Sequence, residues 1–195
     1  MNITNAGELG ADPFGPNSGT TGNICANVYV FSPDQEEIAC CTCLVTPNAL
    51  VHLSAAKDLV SNTSSGVPPV TNSIVVKLLA TIPGTGTTPG VQSTGPFTGT
   101  VCNAAYPCGV TNLAPDMRAW APKLHSTVPA SPNSPPFLLT EGRFLTNPID
   151  LTSINALTVQ EITSITNRCR FIKGNQSGAG LCKACTLGGL GAAHN

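Results

Sequence analysis

Charge is scarce in this chain. Only 10% of its 195 residues are charged, against about 25% in an ordinary soluble domain, and the net charge is −1. Such a surface has no field to gather nucleic acid or an anionic membrane, and neither is expected as a partner. Aromatic residues are also few, at 5%, so stacking platforms for sugar rings or bases are in short supply. No apolar run approaches the ~20 residues that a membrane-spanning helix needs. The longest, "SIVVKLLATI" (73–82), is strand-sized and carries Lys77, so membrane insertion is not expected. The N-terminal stretch "MNITNAGELGADPFGPNSGTTGN" has neither a basic n-region nor an apolar h-region. It is not an intact signal peptide, and an exported form would carry its leader outside this sequence.

Catalytic patterns are missing too. There is no G-x-S-x-G and no H-E-x-x-H. "GNQSGAGLCK" (174–183) resembles a phosphate loop only superficially. It lacks the G-K-[ST] ending and follows a helix, whereas phosphate binding needs the loop before a helix N-terminus. His52, His125 and His194 are isolated from one another. Asp34, Glu36 and Glu37 are acidic neighbours without calcium-loop spacing, and read as a solvated turn. No catalytic, cofactor-binding or metal-binding residues are assigned, and an enzyme is not expected. Asn2, Asn62 and Asn175 match the glycosylation acceptor pattern, which matters only in a host that uses it.

What is abundant is glycine (19), proline (17) and cysteine (9). Nine cysteines in a chain so poor in charge point to an oxidising compartment, so the protein is expected to be secreted, extracellular or at a cell surface. The densest group lies in "EIACCTCLVTPNAL" (37–50), with Cys40, Cys41 and Cys43 inside four positions. Side chains alternate on a strand. Cys41 and Cys43 therefore share one face, and Cys40 takes the other with Ile38 and Leu44. With Cys182 and Cys185, the C-x-C could supply four thiolates to zinc, but C-x-C is a poor match to the usual C-x₂₋₄-C knuckle. Cys182-Lys-Ala-Cys185 is also a formal redox motif, yet it follows a helix instead of opening one. Disulfides are the favoured reading. Cys102 and Cys108, six apart in a proline-containing loop, are expected to pair. For Cys25, Cys40, Cys41, Cys43, Cys169, Cys182 and Cys185, spacing does not choose partners. The expectation is that the Cys40–Cys43 cluster is bridged to Cys169, Cys182 or Cys185, pinning the C-terminal segment to the first hairpin. One of nine is left over, or pairs between chains.

Residues 1–22 are rich in turn formers and predict an extended arm, followed by a single β-rich domain over 23–195. "NICANVYVF" (23–31) alternates Ile24, Ala26, Val28 and Val30 against Cys25, Asn27, Tyr29 and Phe31, the pattern of a strand. "SPDQ" is a turn, and a second strand follows at about 37–45. Residues 49–60 are ambiguous and are read as strand. Further strands are predicted at 73–82, 117–126 and 137–146, with Pro122 marking an edge or bulge. A long Gly/Thr/Pro loop occupies 83–116. The one helix, about 158–173, opens with the capping box Thr158-Val-Gln-Glu161 and carries Val159, Ile162, Ile165, Cys169 and Ile172 at helical spacing, with Gly174 as its stop. The expected fold is mainly β: a β-sandwich, or a single sheet covered by one C-terminal helix, with long loops and disulfide staples.

The "NICANVYVF…CC-x-C" segment resembles that of uncharacterised secreted cysteine-rich bacterial proteins. The resemblance covers the N-terminal strands and the cysteines. It implies export and no activity. Low charge and Gly/Thr/Pro loops suit an extracellular structural subunit that self-assembles, as a filament, pilus-like or surface-layer protomer, with residues 1–22 contacting a neighbouring copy. The alternative is a secreted ligand- or carbohydrate-binding adhesion module.

Overall fold

Strand β2 (Ile24–Phe31) is flanked on both sides, by β3 (Glu37–Val45) and β5 (Val75–Thr81), all antiparallel. The structure, a computed structural model, describes residues 1–7, 22–64, 73–84, 102, 113–114, 117–126, 137–144, 157–183 and 185. Seven of the eight β2 residues are buried, because both faces of this three-stranded sheet are covered. Ile24, Ala26, Val28 and Val30 enter one core, while Tyr29 enters a second. Asn27 sits on the Tyr29 side, and its Nδ2 donates to the Leu79 carbonyl at 2.9 Å and to Thr81 Oγ1 at 3.0 Å. These bonds offset part of the cost of burying the amide, whose Oδ1 has no partner among the described residues.

The first core lies between this sheet and a four-stranded one. That second sheet is ordered β4 (Leu50–His52), β1 (Asn2–Asn5), β6 (Met117–Ser126), β7 (Phe137–Arg143). Ile3 of β1 and Ala119 of β6 meet Ile24, Val28 and Val30 across the gap, with Leu53 and Leu59 closing it. The second core lies under helix α1 (Val159–Gly174), where Ile162, Ile165, Cys169 and Ile172 pack on Tyr29, Cys40 and Leu79. The layers are therefore sheet, sheet, helix. The two architectures expected from sequence coexist, and the β3-β2-β5 sheet belongs to both.

The expected N-terminal arm is corrected over its first residues. Asn2–Asn5 is an interior strand, antiparallel to β4 on one side and to β6 on the other. Sparse apolar content does not prevent this, since a strand between two others has its backbone groups paired from both sides. Ile3 alone fills the core position, fully buried. Asn5 is also fully buried; its Nδ2 donates to the carbonyls of Gly22 (2.8 Å) and Val45 (3.0 Å), and its Oδ1 accepts from the Gly7 amide. Residues 8–21 of that arm lie outside the described residues, as does most of the 83–116 loop.

Other expectations shift locally. Of residues 49–60, only Leu50–His52 is strand. Ser54 then caps a π-helical turn, Ala55–Leu59: the Ser54 amide donates to Asp58 Oδ2 at 2.6 Å, and Ser54 Oγ accepts from the Lys57 amide. At Pro122, β6 has β7 on one side only, because β1 pairs no further than Trp120. The missing proline N–H is harmless there. The capping box of α1 forms as expected: the Glu161 amide donates to Thr158 Oγ1 (3.2 Å), and the Thr158 amide donates to Glu161 Oε2 (2.9 Å). Val159 does not join the apolar stripe and stays half-exposed, and Gly174 is the last helical residue before the cap at Asn175.

Ile165, buried under α1, measures how much the helix layer holds. Ile165→Ala should cost ~2–5 kcal/mol in denaturant unfolding. Val159→Ala should stay within about 0.5 kcal/mol. Equal losses for the two would contradict the helix orientation.

Candidate functional site

The chemistry-bearing residues converge on β3. Its pairing with β2 is regular from Val45 back to Ala39, which faces Val30; Phe31 then faces Glu37. Ile38 is the extra residue of a β-bulge, which bends the strand and re-aims side chains. Ile38 consequently joins Ala39, Cys41 and Cys43 on the inter-sheet side, and not Cys40 as strict alternation predicted. Glu37 is turned to the helix side, next to Cys40.

Each cysteine of the cluster is bonded to the C-terminal segment. Cys40 is linked to Cys169 on α1, Cys41 to Cys182 and Cys43 to Cys185, spanning 129, 141 and 142 residues. In the chain-entropy picture, closing a loop of such length stabilises by roughly 4–5 kcal/mol, and further closures beside it add less. The fourth bond corrects an expectation. Cys102 is linked to Cys25, 77 residues away, and not to Cys108, which lies outside the described residues. Nearness in sequence was a poor guide, because the chain carrying Cys102 returns to the start of β2. Both sulfurs of the C-x-x-C are bonded to β3 and not to each other, which leaves no internal redox pair. The zinc set of Cys41, Cys43, Cys182 and Cys185 is used up in the same way. Four disulfides place the chain in an oxidising environment.

The C-terminal segment is held beside β3 by its backbone as well. Cys40 and Leu181 form a parallel bridge, with the Cys40 amide donating to the Gly180 carbonyl at 2.8 Å. Asn62 Nδ2 donates to the carbonyls of Gly178 (2.8 Å) and Leu181 (3.0 Å), and the Asn62 carbonyl accepts from the Gly180 amide. Asn62, a glycosylation acceptor by pattern, has its side-chain amide already engaged. Gly180 has φ +85°, and a Cβ there would lie 2.5 Å from Ile172 Cγ2. Only glycine fits this crossing. The phosphate-loop look-alike is thus the turn that delivers Cys182 and Cys185 to their partners.

Among the described residues, one set of three potential ligating groups has its ligand atoms within 4.8 Å of one another: Glu37, Cys40 and Cys169. Two of these are the bonded sulfurs. Glu37 is 4% exposed, and among the described residues neither of its carboxylate oxygens has a hydrogen-bond partner. Burial pushes its pKa up to about 8, with the Arg168 charge opposing. Tyr29, fully buried beside it, is raised above the usual phenol range by burial and then by the Glu37 charge. Arg168 spans the rim: Nε donates to the Glu37 carbonyl at 3.5 Å, Nη2 meets Glu36 Oε1 at 2.7 Å, and the guanidinium lies over Phe171. The acidic turn does not converge on a cation site, since Asp34 accepts from Ser32, Glu36 pairs with Arg168 and Glu37 turns inward. Exposed His52 hydrogen-bonds Asn2, His125 lies on β6, and His194 is outside the described residues. Glu37 was missed as a singular residue; the bulge that buries it has no mark in the sequence.

Two results check this arrangement. Replacing Cys40 and Cys169 together by Ser should remove one bond and leave three closed, counted by mass with and without reductant; free thiol at Cys41 or Cys182 would contradict the pairing. Asn62→Ala, which strands two carbonyls, should lower stability by ~1–3 kcal/mol. No family model, curated protein or solved structure matches this chain.

Proposed function

We propose that this chain is a secreted structural subunit that self-assembles by adding strands along the edge of β5 that has no strand partner among the described residues. The observation that supports this reading is the edge itself. Val75–Thr81, "VVKLLAT", pairs with β2 on one side. On the other, the Ala80 carbonyl accepts from the Ala114 amide, and Thr81 forms a single bridge with Leu113. Backbone groups alternate in direction along a strand, so those of Leu78 and Val76 point the same way as that carbonyl. They have no partner among the described residues. An apolar edge whose one charge is Lys77, with Val75 half-exposed at its start, is a template for another strand.

The stapled C-terminal segment suits the same role, since a subunit in an extracellular lattice has to keep its shape without turnover. Low net charge reduces repulsion between packed copies. With β1 docked inside its own sheet, a neighbour is not expected to take up residues 1–7, and the contact moves to β5.

Light scattering and electron microscopy of the oxidised protein over a wide concentration range test the reading. Ordered polymers or discrete oligomers are expected, and Val75→Lys should suppress them while leaving the unfolding free energy within about 0.5 kcal/mol of the parent. A parent chain that stays monomeric at every concentration would refute it.

A further inference from the structure

The cross-link that fastens α1 to the sheet, Cys40–Cys169, is fully buried at both sulfurs. Beside it lies the Glu37 carboxyl, one oxygen of which is within 4.8 Å of both sulfurs. A carboxyl so enclosed has only one inexpensive state, the neutral acid, because an ionised carboxylate without hydrogen bonds is strongly disfavoured away from water. The groups facing it do not supply those bonds. From β2 comes the Tyr29 phenol, which burial keeps protonated. From α1 comes Arg168, but its guanidinium is engaged by Glu36 and by the Glu37 backbone carbonyl, and not by the carboxylate oxygens. From β5 comes Lys77, which is paired with Glu161 of α1 and lies over Phe31, the residue opposite Glu37.

We propose that Glu37 is a proton-operated latch on the helix layer: loss of its proton loosens α1 from the β3-β2-β5 sheet and exposes the Cys40–Cys169 bond to solvent. The sign follows from where the proton sits. In the closed state the group holds its proton up to about pH 8, whereas its ordinary value is 4.5. The closed state therefore binds more protons between those values, and its advantage is complete below the lower one. It falls as pH rises towards the upper one and is level beyond it. The cysteine bond keeps α1 tethered while its packing opens, so the movement is local and reversible. The Cys41–Cys182 and Cys43–Cys185 bonds, on the other face of β3, are not gated by this carboxyl.

The experiment follows reduction of each bond in the intact oxidised protein by a water-soluble trialkylphosphine between pH 5 and 9. The phosphine attacks one sulfur and breaks the S–S bond; water then converts the phosphonium to phosphine oxide, leaving two thiols. Its intrinsic rate is calibrated at each pH on an exposed model disulfide, and the thiols are identified by alkylation and peptide mass. The calibrated rate for Cys40–Cys169 should rise with pH, by up to about tenfold per unit, and level off above about pH 8. In Glu37→Gln the profile should be flat. Amide exchange in α1, corrected for its own pH dependence, should follow the same two curves. Should Glu37→Gln fail to fold, Glu37→Met carries the same comparison. Identical pH profiles in parent and variant would overturn the proposal, as would a parallel rise at all four bonds.

Discussion

The structure depends on one strand being tied covalently to the far end of the chain. β3 sends Cys40 to α1 and Cys41 and Cys43 to the segment beyond it. Without those bonds, the segment beyond α1 would be held, among the described residues, by its parallel bridge to Cys40 and by a few backbone contacts to Asn62 and Asp58. Backbone ordering costs about 1–2 kcal/mol per residue, which so few contacts do not cover. The cross-links lower the cost by restricting the unfolded chain. They also explain how a chain with 5% aromatic residues holds a third layer over an already paired sheet.

The central sheet must bury two faces, and its polar residues show how. Asn27 of this sheet, like Asn5 of β1, is fully buried and donates its side-chain amide to backbone carbonyls, Asn27 to Leu79 and Asn5 to Gly22 and Val45. Glu37 is a buried acid with neither carboxylate oxygen hydrogen-bonded among the described residues. Its position follows from a single inserted residue, Ile38, which rotates the strand start and places the carboxyl under the helix. Packing, covalent chemistry and protonation are thereby coupled within one turn of strand. The β5 edge proposed for assembly lies on the opposite side of the same sheet. The two features draw on different strands, β3 and β5.

Sequence alone was enough wherever a signal was local. The alternation in 23–31, the β-branched run at 73–82 and the Thr158–Glu161 capping box each carry their geometry in adjacent residues, and each became the expected element. Cysteine number and scarce charge were enough to indicate an oxidising compartment. Three things were decided only by tertiary structure. Asn2–Asn5 became an interior strand because β4 and β6 leave a slot between them, and nothing in "NITN" encodes its neighbours. Cys102 found Cys25 instead of Cys108 because partner choice follows the path of the chain through space. Glu37 became a buried acid because a bulge, set by the pairing of β3 with β2, reversed the side to which it points. Local propensity is written in neighbouring residues; register, slot and pairing are properties of the assembled sheet.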